Sequence, residues 1–113
     1  MAPEILIAVT YVIVHIAASL PKHREQLLAH PELIKNLMTH FNHSNRYVRV
    51  NCVWVVINLI WKEDKSEQQG CRERALQLGT MGVMDKLASL QEDTDLDVKE
   101  RVKVAQHWMR NLV

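Results

Sequence analysis

The sequence is short of turn-making residues. Three glycines and three prolines in 113 residues are too few for an all-β protein, whose strands are punctuated about every 8–12 residues. Cysteine is scarce as well. Cys52 lies in an apolar run and Cys71 in a polar one, with no pattern of a disulfide framework, so free thiols in a reducing compartment are expected. Neither sign of charge dominates: 14 Lys and Arg against 13 Asp and Glu leave a net charge of +1. That is no electrostatic footprint for nucleic acid or an anionic membrane. No apolar run reaches the roughly 20 residues of a spanning helix. The run Ile5–Leu20 has 16 residues, includes Thr10, Tyr11 and His15, and has no Lys or Arg before it, unlike a secretory signal. Cytosol and nucleus are the expected compartments. There is no Gly-rich phosphate loop and no Gly-x-Ser-x-Gly elbow, so neither catalysis nor a cofactor is expected.

What is present is a repeat. Val48–Trp61, VRVNCVWVVINLIW, laid back by 43 residues falls on Ile5–Ala18, ILIAVTYVIVHIAA, with Trp54 on Tyr11, Asn58 on His15 and Leu59 on Ile16. Moving forward by 50, Arg24, Leu28, Leu33, Ile34 and Leu37 fall on Arg74, Leu78, Val83, Met84 and Leu87, and Val48-Arg49 falls on Val98-Lys99. The offsets differ by seven, and the polar run Lys62–Gly70, KEDKSEQQG, is the natural place for the extra residues. A period near 43 predicts a helical solenoid.

The two long apolar runs are rich in Val and Ile, which favour strands. Each nevertheless exceeds 13 residues without a turn signal, whereas strands average about 5–6. Nearly all-round apolarity predicts helices buried on both sides. The remaining punctuation is helical too. Pro21 closes the first helix, Lys22–His30 forms a short amphipathic helix, and Pro31 opens Glu32–Phe41. Ser44 or Asn45 caps the next long helix. After the Lys62–Gly70 loop come short helices at Cys71–Thr80 and Val83–Leu90, and Asp95 or Asp97 caps a last helix to about Leu112. The expected organisation is a long helix over 3–20, a complete unit over 21–61, a loop over 62–70 and a final capping unit over 71–113.

A unit of about 40 residues ending in a long helix with Trp54, Asn58 and Leu59 in VWVVINL, preceded by SNRYVRV, resembles the armadillo repeat. Met81-Gly82-Val83-Met84 stands where armadillo units have a Gly-Val-Ile/Leu junction, and His30-Pro31-Glu32-Leu33-Ile34 stands there in the earlier unit. NLIWKED, followed by RERALQLGTMGVMDKL, is similar to the carboxy-terminal end of the armadillo-subunit family of the GID/CTLH ubiquitin ligase. The last helix departs from the pattern, having no Trp-x-x-x-Asn. The resemblance implies an all-α armadillo superhelix of about two and a third repeats, a fragment of a larger solenoid. It also implies a non-catalytic scaffold that holds a substrate receptor and other subunits near a ligase core. A nuclear-import-type or catenin-type module for extended peptides is the alternative. The first helix is apolar nearly all round with nothing before it to cover one face, which leaves self-association open.

Asn51, Trp54 and Asn58, spaced i, i+3, i+7, form one helical stripe. The offsets place Ala8, Tyr11 and His15, then Arg101, Val104 and Trp108, on the same stripe of the neighbouring long helices. The resemblance implies that this stripe lines a peptide groove, where amides can both donate and accept toward a peptide backbone. The protein-binding residues expected are therefore Tyr11, His15, Asn51, Trp54, Asn58, Arg101 and Trp108. For Asn58 and Trp54 the plain alternative is a bond to a neighbouring carbonyl and a place in the core. His40, His43 and His30 have no Cys or carboxylate at ligand spacing, so packing or surface histidines are expected rather than zinc ligands of a metal-dependent enzyme. Cys52, in an apolar helix, has the wrong environment for a nucleophile. The acidic residues of Lys62–Gly70 read as a solvated linker or an acidic rim, and Arg24, Arg46 and Arg49 read as solvated helix ends.

Overall fold

The computed structural model describes residues 2–62 and 65–112. Its helices are α1 (Pro3–Ser19), α2 (Pro21–Leu28), α3 (Pro31–Met38), α4 (Arg46–Leu59), α5 (Gln68–Thr80), α6 (Val83–Ser89) and α7 (Leu96–Leu112), with one 3-10 turn at Lys65–Glu67. No strand occurs among the described residues. Valine costs a helix a few tenths of a kcal/mol per residue relative to Ala. Nine of the 14 residues of α4 are buried, and burial on all sides outweighs that cost.

The junctions follow from local chemistry. Leu20 is extended and Pro21 takes the first position of α2, where its missing N–H is no loss. Pro31 does the same for α3. Asn45 caps α4 by accepting the Tyr47 amide at 2.9 Å, and Asp95 accepts the Val98 amide at 3.1 Å near the start of α7. At the α5–α6 junction the chain turns through Gly82 at φ +92°, a left-handed conformation that a β-carbon disfavours. The linker is shorter than expected: α5 begins at Gln68, three residues before Cys71. Gln and Glu are good helix formers however polar their run, and Gln69 bonds Glu73 one turn on at 3.0 Å. Glu63 and Asp64 lie outside the described residues.

The long helices α1, α4 and α7 form one layer, α4 packing against both others, and α6 and α5 pack against α7. The Asn51 amide donates to the Ile7 carbonyl and to Thr10 Oγ1, and the Asn58 amide to the Val14 carbonyl at 3.1 Å. Early residues thus meet early and later meet later, so α1 and α4 run parallel and in register. Other bonds between the units have the same reach. Gln77 donates to the Leu28 carbonyl, Asn42 to Ser89, and Arg49 to Asp93, across 49, 47 and 44 residues. A separation in sequence that matches the repeat offset is the mark of a solenoid in which each unit touches its neighbour.

The arginines overturn the expectation of solvated helix ends. Arg24 is 1% exposed; its Nε donates to the Ala17 carbonyl at 2.8 Å and its Nη1 to the Trp61 carbonyl at 3.1 Å, beside Glu67. Arg74, its equivalent 50 residues on, is also buried, donating from Nε to the Leu59 carbonyl at 2.5 Å and from Nη1 to Glu25 at 2.8 Å. These carbonyls stand at helix ends, where the last four lack intrahelical partners. Arg49 makes a two-pronged pair with Asp93 at 2.9 and 3.0 Å and also donates to the His43 and Ser44 carbonyls. Arg46 alone stays largely in solvent, 3.3 Å from Asp95.

Replacing Arg74 by Ala strands the Leu59 carbonyl and leaves a void, costing about 3 kcal/mol in urea unfolding. Glu25→Gln, at a solvated partner, should cost about 1 kcal/mol or less. The Val98 amide, followed by the Arg46 guanidinium, holds the Asp95 carboxyl below its ordinary value of 3.8. A depressed carboxylate stabilises above its unfolded pKa, and that stability is lost as pH falls through the folded value. Asp95→Asn should therefore melt below the parent at pH 7, and the two melting curves should converge in acid below 3.8.

Candidate functional site

The exposed stripe of α4 begins with a correction. Asn51 leads Trp54 by about 60° around the helix, which turns it into the seam with α1. It is 8% exposed, and its amide is engaged by the Ile7 carbonyl at 3.4 Å and Thr10 Oγ1 at 3.1 Å. Asn51 is a tie between long helices, not a groove donor. Asn58 is half-buried and bonds the Val14 carbonyl, as the plain reading anticipated, yet one face remains on an open recess.

Trp54 is half-buried, and the Arg101 guanidinium from α7 lies 5.3 Å from its ring centre, within cation–π range. Arg101 Nε is buried with no hydrogen-bond partner among the described residues, Asp97 being 3.8 Å away. Trp108 meets Trp61 edge to face at 6.2 Å. Tyr11 and His15 form their own edge-to-face pair on α1 at 4.4 Å, both exposed. Two clusters thus gather on α4 and α7, Trp54 with Asn58 and Arg101, and Trp61 with Trp108, while Tyr11 and His15 make a third on α1.

Sequence reasoning missed Trp61. It stands three residues beyond Asn58, which continues the stripe past the helix end, and that spacing was the available signal. Trp61 and Ile57 form a wall between two recesses. One, of about 250 Å³, lies between α1 and α4 and is lined by Ala18, Arg24, Trp54, Ile57, Asn58 and Trp61. The other, of about 70 Å³, lies between α4 and α7 and is lined by Ile57, Ile60, Trp61, Lys62, Trp108 and Leu112. Neither lining contains a carboxylate.

The other chemistry-bearing residues are tied into the fold. Burial pushes the Cys52 thiol up to about 12, and burial raises Cys71 as well, both away from the thiolate a nucleophile needs. Cys71 Sγ lies 3.1 Å from the Trp61 carbonyl. His43 Nδ1 accepts the Asn45 amide at 3.0 Å. Among the described residues no three His, Cys, Asp or Glu side chains converge on a metal position, and no helix is long and apolar enough to cross a membrane.

Over 82 residues the chain is 28% identical to armadillo repeat-containing protein 8 of Danio rerio and 23% identical to the proteins of that name from Xenopus laevis and Mus musculus. The matched part is 73% of this chain in each case. The similarity supports an armadillo-repeat family. Together with the stacked helices it makes the fold an all-α, armadillo-like solenoid. The chain spans only 11–12% of the length of these relatives. No family model matches it, and no solved structure matches at the same stringency.

Removing the guanidinium that covers Trp54 should open that indole to water. In a background lacking the other tryptophans (Trp61→Phe, Trp108→Phe), Arg101→Ala should shift the emission to the red and raise quenching by iodide. An unchanged spectrum would mean that Arg101 does not cover the ring in solution.

Proposed function

We propose that this chain is a non-catalytic protein-binding module of the cytosol or nucleus whose long helices hold an extended segment of another protein. The observation that carries the reading is the pair of recesses either side of Trp61. They are aromatic and largely apolar, lie between successive pairs of long helices, and share Ile57 and Trp61. Side chains two apart in an extended peptide point the same way, which suits consecutive recesses. Indole faces supply large contact area at little entropic cost, and Asn58 keeps an acceptor and a second N–H for a peptide backbone.

The finer reading is that the chain serves as the armadillo-subunit part of a GID/CTLH-type ubiquitin ligase, bringing a substrate receptor to the catalytic core. Its support is the similarity to armadillo repeat-containing protein 8 and the NLIWKED and RERALQLGTMGVMDKL segments. An import-type receptor for basic peptides is less well supported. Such a ligand needs carboxylates in the groove, whereas the two linings contain Arg24 and Lys62 and no acid.

The test is affinity purification of the tagged chain from cells, with mass spectrometry of its companions. Ligase subunits are expected among them. Trp61→Ala and Asn58→Ala should each lower their recovery about tenfold, corresponding to about 1.4 kcal/mol, with helicity by circular dichroism unchanged. Full recovery with both variants would move the binding surface off this face. Companions without ligase subunits would remove the finer reading and leave the coarser one standing.

A further inference from the structure

A buried donor without an acceptor stands on α7. Arg101 lies fifty residues after Asn51, at the same point of the next rung. Asn51 finds Thr10 and the Ile7 carbonyl on α1. The α4 residues 43 places on from Ile7 and Thr10 are Val50 and Val53, and a valine side chain offers Arg101 nothing to bond. The guanidinium lies instead 5.3 Å from the centre of the Trp54 ring, with Nε buried and unpartnered among the described residues. Asp97 is 3.8 Å away, beyond hydrogen-bond reach. The other acids at that end of α7 are engaged, Asp95 by the Val98 amide and Arg46, and Glu100 by Lys103.

We infer that Arg101 is a specificity-determining residue of the groove, and that its guanidinium takes an aspartate or glutamate side chain of the bound segment. The inference rests on the reading of the two recesses as a protein-binding groove. An arginine held against a ring with no acceptor of its own points to an acceptor supplied from outside. The ring contact consumes no hydrogen-bond acceptor, so the planar fork keeps its capacity for the two-pronged pairing that a carboxylate makes. The side chain is 31% exposed and so within reach of a ligand. Trp54, which carries it, also lines the recess that holds Asn58 and Trp61. The other cations beside the groove are occupied. Arg24 is held by the Ala17 and Trp61 carbonyls and by Glu67, and Lys62 donates to Gln68. The carboxylate of a ligand therefore meets Arg101 while its apolar side chains fill the recesses on either side of Trp61.

The test is selection of random peptides displayed on phage against the whole chain at low salt. The enriched peptides should combine apolar or aromatic residues with Asp or Glu. Arg101→Gln should erase the enrichment in acids, and Arg101→Glu should turn it toward Lys and Arg, a reversal that a purely structural arginine would not give. A synthetic peptide from the selection should bind the parent about tenfold more tightly than its carboxamide version, and the gap should close in about 1 M salt. Peptides that need Trp61 for capture but show no preference for acids, or keep that preference with Arg101→Gln, would overturn the inference and leave the groove standing. No enriched peptides, or peptides captured equally by Trp61→Ala, would overturn the groove and the inference with it.

Discussion

The ends of the long helices set the terms for the rest of the structure. A buried helix terminus leaves carbonyls that neither water nor the next turn can satisfy. Here the Arg24 and Arg74 guanidinium groups take them, each reaching from one unit into the next. Arg24 joins the end of α1 to the end of α4 through the Ala17 and Trp61 carbonyls; Arg74 joins the end of α4 to Glu25 on α2. The planar fork of arginine, with five donors, suits two separate acceptors in a way that the point charge of lysine does not. The same bonds fix where Trp61 stands, because its carbonyl receives Arg24 and Cys71 while its ring faces outward.

That arrangement separates the polar residues of the long helices into two kinds. Asn51 and Thr10 hold α1 against α4 and are closed to any ligand. Asn58, Trp54, Trp61 and Trp108 hold the same rungs together from their outer edges and still present surface. Binding and architecture therefore meet on the same residues, which places the recesses on rigid elements rather than on loops.

Much of the fold was legible because burial periodicity and repeat spacing report on backbone layout directly. The valine-rich runs, Pro21, Pro31, Asn45 and Gly82 all mark element type or punctuation by local chemistry. The misreadings have one cause. Arg24, Arg49 and Asn51 are polar letters in amphipathic or apolar runs, and sequence alone does not say whether a polar group finds water or a buried partner. Arg24 and Arg74 being equivalent at the offset of 50 was a visible hint that both do one structural job. Gln68–Gly70 shows the reverse error, polarity taken for irregularity where helix propensity decided. For the site, the stripe on α4 was legible and its end was not, since Trp61 lies just past the last helical residue.

The longest cross-unit bonds described above span 41 to 49 residues, about one period and no more. A polymer wired at a single characteristic distance behaves like a short chain of coupled beads. Its thermal opening starts at whichever terminal bead is least covered and advances inward bead by bead. Among these three rungs α4, clasped by α1 on one flank and α7 on the other, is the last to let go.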